Sequence, residues 1–159
     1  MSLTEYGKKR DFKKSPEPRP SRSKSKDQKK DGLIYVIQRH AARHLHWDLR
    51  LEEKGVLKSW AVPKEPPTDE GLRRLAVQVE DHTLEYADFE GIIPEGEYGA
   101  GTVEIWDKGT YEPLETLSSK RVFEIHGQKL KGTYCLIKLK ANVVKEKNWL
   151  FFKLKAKKK

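Results

Sequence analysis

The chain has very little cysteine and no long apolar run. Cys135 is the single cysteine among 159 residues, and a lone cysteine cannot form an intramolecular disulfide. No apolar stretch approaches the roughly 20 residues that a membrane-spanning helix needs, and the first residues lack the apolar stretch of a secretory signal. We therefore exclude a disulfide-stabilised secreted domain and a helical membrane protein, and expect a cytoplasmic, intracellular protein with no membrane partner.

Acidic residues are scarce relative to basic ones, and the imbalance is local. Of the formal charge of +9, residues 1–31 carry +6, from eleven Lys/Arg against five Asp/Glu, which leaves +3 for the rest. A basic segment attracts polyanions by neutralising phosphates, an effect that weakens as salt rises. Nucleic acid is therefore an expected partner, although basic tails in other proteins serve only to keep the chain soluble.

Long helical periodicity is absent as well, and short β-type runs take its place. Residues 33–37 form a β-branched and aromatic run typical of a buried strand. Turns are predicted at 53–55 and at 107–109, and the glycines up to Gly101 predict a long loop. The other predicted strands are 45–52, 56–62, 74–80, 102–106, 122–125, 133–139 and 149–154.

This pattern predicts an all-β fold, a small closed or nearly closed β-barrel of about eight strands with short helical segments. We predict a basic tail over residues 1–31, a barrel domain over 32–155 and a frayed basic end over 156–159. The tail should be largely disordered from residue 13 to 30, because Lys, Arg, Ser and Pro leave few apolar side chains there. A segment near 9–17 mixes an aromatic residue with both charge signs and is expected to dock on the domain.

The most informative stretch is Gln38 to Glu52. Because alternate side chains of a strand share a face, His46, Asp48 and Arg50 should point one way and the intervening apolar residues the other. His40 ends the preceding strand and can reach the same place, which would give two histidines and a carboxylate. These ligands suit Mn²⁺, Fe²⁺, Zn²⁺ or similar ions with open positions, and the neighbouring Arg50 is suited to clamp a phosphate.

Three interpretations of this stretch stay open at this point. The first is metal-assisted phosphoryl transfer, in which His82 and Tyr86, each able to donate a hydrogen bond, assist at the phosphate. The second is a non-catalytic nucleic-acid-binding module whose histidines bind no metal. The third is a non-haem iron oxygenase, which uses the same ligand types. A His-x-Asp pair alone is also common as a surface charge pair.

Several motifs resemble one known family. They are the run from Gln38 to Glu52, then LKSWAVPK at 57–64, RLAVQVEDH at 74–82, YADFEG at 86–91 and IPEGEYGAG at 93–101. Together they resemble the phosphoesterase domain of bacterial ATP-dependent DNA ligase D over residues 33 to 155, and KRDF at 9–12 and PEP at 16–18 resemble its N-terminal element. The resemblance leads us to expect a stand-alone homologue, without an attached ligase or polymerase.

The resemblance implies a function in nucleic-acid repair. Members of this family use Mn²⁺ to remove a 3′-terminal ribonucleoside from a primer strand and then the remaining 3′-phosphate, which leaves a 3′-hydroxyl for ligation in non-homologous end joining. Co²⁺ or Zn²⁺ are alternative ions. The expected partners are nucleic acids with 3′-ribonucleotide or 3′-phosphate ends and a separate ATP-dependent DNA ligase, and the protein is expected to be a monomer.

The resemblance also implies a set of site residues. The family's metal ligands fall on His40, His46 and Asp48. The residues that contact the phosphate or act in catalysis fall on Arg50, His82 and Tyr86, with His82 as the general acid. Supporting polar groups fall on Gln38, Lys64, Arg74 and Glu80, and the N-terminal element contributes Arg10, Asp11 and Glu17.

Overall fold

A computed structural model describes residues 3–18, 32–139 and 147–155 of the chain. The described residues form nine strands, one short α-helix and one 3₁₀ helix. Their bounds are α1 (Leu3–Lys8), β1 (Leu33–Ala41), β2 (Leu45–Glu53), β3 (Val56–Val62), β4 (Arg73–His82), the 3₁₀ helix (Leu84–Asp88), β5 (Gly91–Ile93), β6 (Gly101–Leu117), β7 (Lys120–His126), β8 (Lys131–Lys138) and β9 (Asn148–Lys153). None of the helices in these ranges is long and apolar enough to cross a membrane.

The sheet closes on itself. Its strands lie in the order β1-β2-β3-β4-β9-β8-β7-β6, and a further pairing of β6 with β1 completes the ring. All of these pairs are antiparallel. Closure leaves no unpaired edge along the ring, and the short β5 adds to the end of β6 outside it. The predicted all-β barrel of about eight strands is confirmed.

Two apolar clusters hold the molecule together. The first draws side chains from all eight strands of the ring, such as Leu49 of β2 and Trp60 of β3, and fills the barrel interior. The second lies on the outer side of the same wall, where Val36 of β1 and Leu57 of β3 pack against Tyr6 of α1 and the 3₁₀ helix. Because side chains alternate along a strand, the polar residues of β1 and β2 face this outer layer, and it is there that the candidate site forms.

The predicted turn at 107–109 is wrong, because β6 runs through it without a break. The carboxylate of Asp107 is buried and accepts hydrogen bonds from the Tyr35 hydroxyl and from the backbone N–H groups of residues 128–130, at 2.8–3.0 Å. Gly109 lies so close to the His126 carbonyl of β7 that a Cβ would be 2.1 Å from its oxygen. Asp107 and Gly109 thus serve strand packing.

The predicted glycine loop also contains one short strand, β5.

The N-terminal segment of residues 3–18, called the arm below, packs against the barrel. Tyr6 is fully buried, and its hydroxyl donates to the Pro18 carbonyl. Ser15 and Glu17 are also buried, and the Ser15 hydroxyl donates to the Glu17 carboxylate. The expected disorder is therefore wrong for residues 13–18. The rest of that prediction, residues 19–30, and the predicted frayed end at 156–159 lie outside the described residues, and the division into domains stays a prediction.

We predict that Asp107→Ala lowers the free energy of unfolding by roughly 3 kcal/mol, because several donors lose a charged acceptor inside the protein. Glu112→Ala on the same strand is the matched control, since this side chain is exposed; it should change stability by less than about 0.5 kcal/mol. Urea unfolding followed by circular dichroism measures both. Equal stability of the two variants would contradict the role of Asp107.

Candidate metal and phosphate site

A pocket of about 270 Å³ lies between the outer faces of β1 to β4, the arm and the loop that follows β5. Charged and polar side chains from distant parts of the sequence meet in it. Its lining residues are Arg10, Glu17, His40, Ala42, His46, Asp48, Arg50, Ala61, Val79, Glu80, His82, Tyr86, Tyr98 and Gly99.

His40, His46 and Asp48 form a compact cluster at one end of this pocket. His40 and His46 are register partners across β1 and β2, and their rings lie 4.8 Å apart between centroids. The Asp48 carboxylate lies 3.6 Å from His40 Nδ1 and 3.3 Å from His46 Nε2. One ligand atom from each residue lies within 4.8 Å of the others, so a single ion can contact all three.

Backbone carbonyls orient both imidazoles. His40 Nε2 lies 2.7 Å from the Gly99 carbonyl, and His46 Nδ1 lies 2.9 Å from the His44 carbonyl. A carbonyl only accepts, so these two nitrogens carry the hydrogens in the neutral rings. The remaining nitrogens, His40 Nδ1 and His46 Nε2, then point their lone pairs toward the carboxylate. This is the arrangement in which metal-bound histidines are commonly held.

The lone pairs and the carboxylate of the cluster favour a cation between them. Burial lowers the pKa of His46, but the hydrogen bond and the charge of Asp48 outweigh it and leave that pKa above its usual value. Burial would raise the pKa of Asp48, but the Arg50 charge and the histidine hydrogen bonds hold it well below its usual range. A proton on His46 can supply the positive charge, and a divalent ion supplies it more strongly. The donor set of two imidazoles and a carboxylate fits such an ion.

Arg50 lies beside the cluster and is held rigidly. Its Nη2 lies 3.4 Å from the Asp48 carboxylate, its Nε donates to Gln38 Oε1 at 2.6 Å, and its Nη1 donates to Ser59 Oγ at 2.9 Å. Gln38 is itself fixed, because its amide donates to the carbonyls of Tyr86 and Phe89. The buried guanidinium is thus preorganised for an anion in the pocket.

The arm contributes a second buried guanidinium. Arg10 Nε donates to the Glu17 carboxylate at 2.9 Å, and its Nη1 donates to the Glu80 carboxylate at 3.2 Å. The guanidinium carbon also lies 4.1 Å from the centroid of the Tyr6 ring. Paired carboxylates offset the cost of burying this charge. The arm is therefore part of the pocket wall.

His82 is neutral in this arrangement. Its Nδ1 lies 3.0 Å from the Glu80 carbonyl and its Nε2 lies 3.2 Å from Arg10 Nη2. Because a guanidinium only donates, Nε2 is the acceptor and Nδ1 carries the hydrogen. Burial, followed by the positive charges of Arg50 and Arg10, holds the pKa of His82 well below its usual value.

Tyr86 stays protonated and donates a hydrogen bond to the arm. Its hydroxyl donates to Glu17 Oε2 at 2.6 Å. Burial raises the pKa of Tyr86 well above its usual value, and the Glu17 carboxylate adds to this against the opposing charge of Arg50. The Tyr86 ring packs edge-on against the His82 ring, with centroids 4.6 Å apart.

Comparison with known proteins identifies the family. The family model described as the DNA Ligase D 3′-phosphoesterase domain matches residues 38–138. The chain belongs to this family. The multifunctional non-homologous end joining protein LigD of Pseudomonas aeruginosa is 49% identical over an alignment of 159 residues. The match covers 96% of this chain and 18% of that protein. The corresponding LigD proteins of Mycobacterium tuberculosis and Mycolicibacterium smegmatis are each 45% identical, over 96% of this chain and 20% of their own length. The chain thus spans 18–20% of the length of these relatives.

The phosphoesterase-family residues expected from the sequence divide into two groups. Most of them meet in or directly behind the pocket: His40, His46, Asp48, Arg50, His82, Tyr86, Arg10, Glu17, Glu80 and Gln38. Three others lie away from it. Asp11 is exposed and accepts from the Lys13 N–H, Lys64 is exposed, and Arg74 Nε donates to the Glu65 carbonyl. The functional roles of both groups stay predictions.

Sequence reasoning missed several residues that complete the pocket. Ser59 holds Arg50, and the Gly99 carbonyl orients His40. Lys9 Nζ lies 3.2 Å from the Glu80 carboxylate, and Tyr98 lines the pocket. Gly99 lies in the IPEGEYGAG motif, which could have indicated that this loop belongs to the site. Ser59 also lies in a family motif, LKSWAVPK, but its hydrogen bond with Arg50 depends on contacts between strands.

We predict that Asp48→Asn weakens Mn²⁺ binding by more than about 100-fold, beyond the 10- to 100-fold typical of outer-shell groups. The amide has the size of the carboxylate but lacks its negative charge, which lies beside both histidines. Isothermal calorimetry measures the affinity, and thermal unfolding checks that the barrel persists. His126→Ala, a change at an exposed histidine on β7, is the control and should bind normally. Near-normal affinity of Asp48→Asn would contradict the ligand set.

Proposed function

We propose that this protein is a Mn²⁺-dependent 3′-end-processing phosphoesterase. In the first step it hydrolyses the diester that joins a 3′-terminal ribonucleoside to a primer strand, which releases the nucleoside and leaves a 3′-phosphate. In the second step it hydrolyses that monoester, which releases inorganic phosphate and leaves a 3′-hydroxyl. The observation that carries the proposal is that the His40, His46 and Asp48 cluster shares one pocket with two buried guanidinium groups.

His40 Nδ1, His46 Nε2 and the Asp48 carboxylate would hold the ion. A divalent ion bound there supplies a Lewis acid for a phosphoryl oxygen and lowers the pKa of a bound water. Asp48 also ties this end of the pocket to Arg50, whose Nη2 lies 3.4 Å from the carboxylate. A phosphate next to the cluster would therefore lie within reach of Arg50.

Arg50 and Arg10 provide positive charge for the phosphate. Both are buried, and both are fixed by hydrogen bonds before any substrate arrives. Fixed donors in a water-poor site stabilise developing negative charge without reorganising at the moment of reaction. A non-catalytic nucleic-acid module would need neither this burial nor a convergent metal-ligand set, since exposed Lys and Arg suffice for phosphate binding.

The proton for the leaving oxygen is proposed to come from His82 once substrate is bound. Without substrate the imidazole is neutral, because burial and the charges of Arg50 and Arg10 lower its pKa. A phosphate beside it adds negative charge and raises that pKa, so protonation is coupled to substrate binding. Tyr86, which keeps its proton, is proposed to donate a hydrogen bond to a phosphate oxygen when Glu17 releases it.

We further propose that the products feed a ligase. The curated relatives are named as non-homologous end joining proteins, and a 3′-hydroxyl is the end that joining requires. A separate ATP-dependent DNA ligase is the expected partner of this chain, which we propose acts as a monomer inside the cell.

The direct test uses a primer-template whose labelled primer ends in one ribonucleotide, incubated with protein and Mn²⁺ or with a chelator. We expect the primer to shorten by one nucleoside to a 3′-phosphate and then to convert to a 3′-hydroxyl, with Mn²⁺ only. Binding without turnover would favour the non-catalytic module. Iron- and oxygen-dependent chemistry in place of hydrolysis would favour an oxygenase.

The role of His82 has its own test. We predict that His82→Ala keeps Mn²⁺ affinity but loses roughly 10²- to 10⁴-fold in rate, the usual contribution of a general acid. His82→Gln, which retains hydrogen bonding but cannot carry the proton, should lose nearly as much. Rates on 3′-ribonucleotide and 3′-phosphate primers, with calorimetry for the metal, measure this. Recovery of most activity by His82→Gln would instead assign His82 a hydrogen-bonding role, and loss of metal affinity would make it a ligand.

A further inference from the structure

Tyr98 is an exposed aromatic residue inside a polar pocket. It lines the pocket together with the metal cluster, yet 45% of it is exposed. Among the described residues that line the pocket, the other tyrosine, Tyr86, is 2% exposed and its hydroxyl is engaged by Glu17. Tyr98 is therefore the more exposed of the two tyrosines among the described residues that line the pocket.

The backbone fixes Tyr98 relative to the metal cluster. The loop that carries it is closed by two backbone hydrogen bonds, from Glu97 N–H to the Pro94 carbonyl and from Ala100 N–H to the Glu97 carbonyl. The next residue, Gly99, has a φ of +78° and accepts the hydrogen bond from His40 Nε2. Tyr98 therefore directly precedes Gly99, whose carbonyl orients the proposed metal ligand His40.

Cations of the arm adjoin the same ring. Lys9 Nζ lies 4.8 Å from the ring centroid of Tyr98 and 3.4 Å from its hydroxyl, and the Arg10 guanidinium carbon lies 5.3 Å from the centroid. Lys9 is in turn paired with Glu80 on β4. The arm and the barrel thus hold Tyr98 between them, beside the charges that we propose bind the phosphate.

We propose that Tyr98 is a stacking platform for the nucleobase next to the scissile phosphate. An exposed aromatic ring beside fixed cations is the chemistry with which proteins hold the bases of single strands, and such stacking tolerates any base. The preferred substrate is then a strand whose 3′-terminal base is free to leave the duplex stack. This inference deepens the proposed function and rests on it for the location of the phosphate.

The test measures binding without turnover, so that it does not depend on hydrolysis. The probe is a 5′-fluorescein single-stranded oligonucleotide with a 3′-phosphate, followed by fluorescence anisotropy in the presence of a chelator. A second probe is identical except that its 3′-terminal nucleotide is abasic. We expect Tyr98→Ala to weaken binding of the first probe by about 5- to 150-fold and to leave binding of the abasic probe equal to that of the unmodified protein.

Two further variants make the test specific. Tyr98→Phe keeps the ring and should bind the base-bearing probe like the unmodified protein. Ile92→Ala removes another exposed apolar side chain, on β5, and should have no effect. An equal loss on both probes, or no loss in Tyr98→Ala, would overturn the proposal. If the unmodified protein hydrolysed nothing but the difference between the probes persisted, the proposed reaction would fail while the base platform stood.

Discussion

The Asp48 carboxylate is the group on which the rest of the site depends. It is buried, and its two oxygens contact His40, His46 and Arg50 within 3.3–3.6 Å. A buried carboxylate is stable only when charges and hydrogen bonds compensate its lost hydration. Here Arg50 compensates the carboxylate from one side, and the two imidazoles lie on the other side, where we propose that a divalent ion binds. In the proposed function, metal binding and phosphate binding are therefore coupled through one side chain.

The same reasoning extends along the pocket to its second guanidinium group. Arg50 is followed by His82, then Arg10, which is paired with both Glu17 and Glu80. Each cation is fixed by acceptors and is not free to move with the substrate. Because the arm supplies Arg10 and Glu17, the pocket is complete only when residues 3–18 lie against the barrel. The outer apolar cluster around Tyr6 provides the contact that holds them there.

Much of this could be predicted from local sequence pattern. The period of two along β2 placed His46, Asp48 and Arg50 on one face, and pairing of adjacent strands brought His40 to them. The contacts of the arm could not be predicted in this way, because they join residues about 70 positions apart, such as Arg10 and Glu80. The turn prediction at 107–109 failed for the same reason: Asp107 and Gly109 satisfy neighbouring strands, which local turn preferences do not register. Tyr98 lies in the IPEGEYGAG motif, but its position against Lys9 and Arg10 of the arm depends on contacts that the motif does not reveal.

The central claim is that one divalent ion binds between His40, His46 and Asp48 with a phosphate oxygen held against Arg50. Crystals grown with Mn²⁺ and inorganic phosphate, measured at the manganese absorption edge, test it most directly. The account predicts one strong anomalous peak within bonding distance of His40 Nδ1, His46 Nε2 and the Asp48 carboxylate, with phosphate between that peak and Arg50. A fully occupied peak elsewhere, or a phosphate bound with no metal at these three residues, would contradict it.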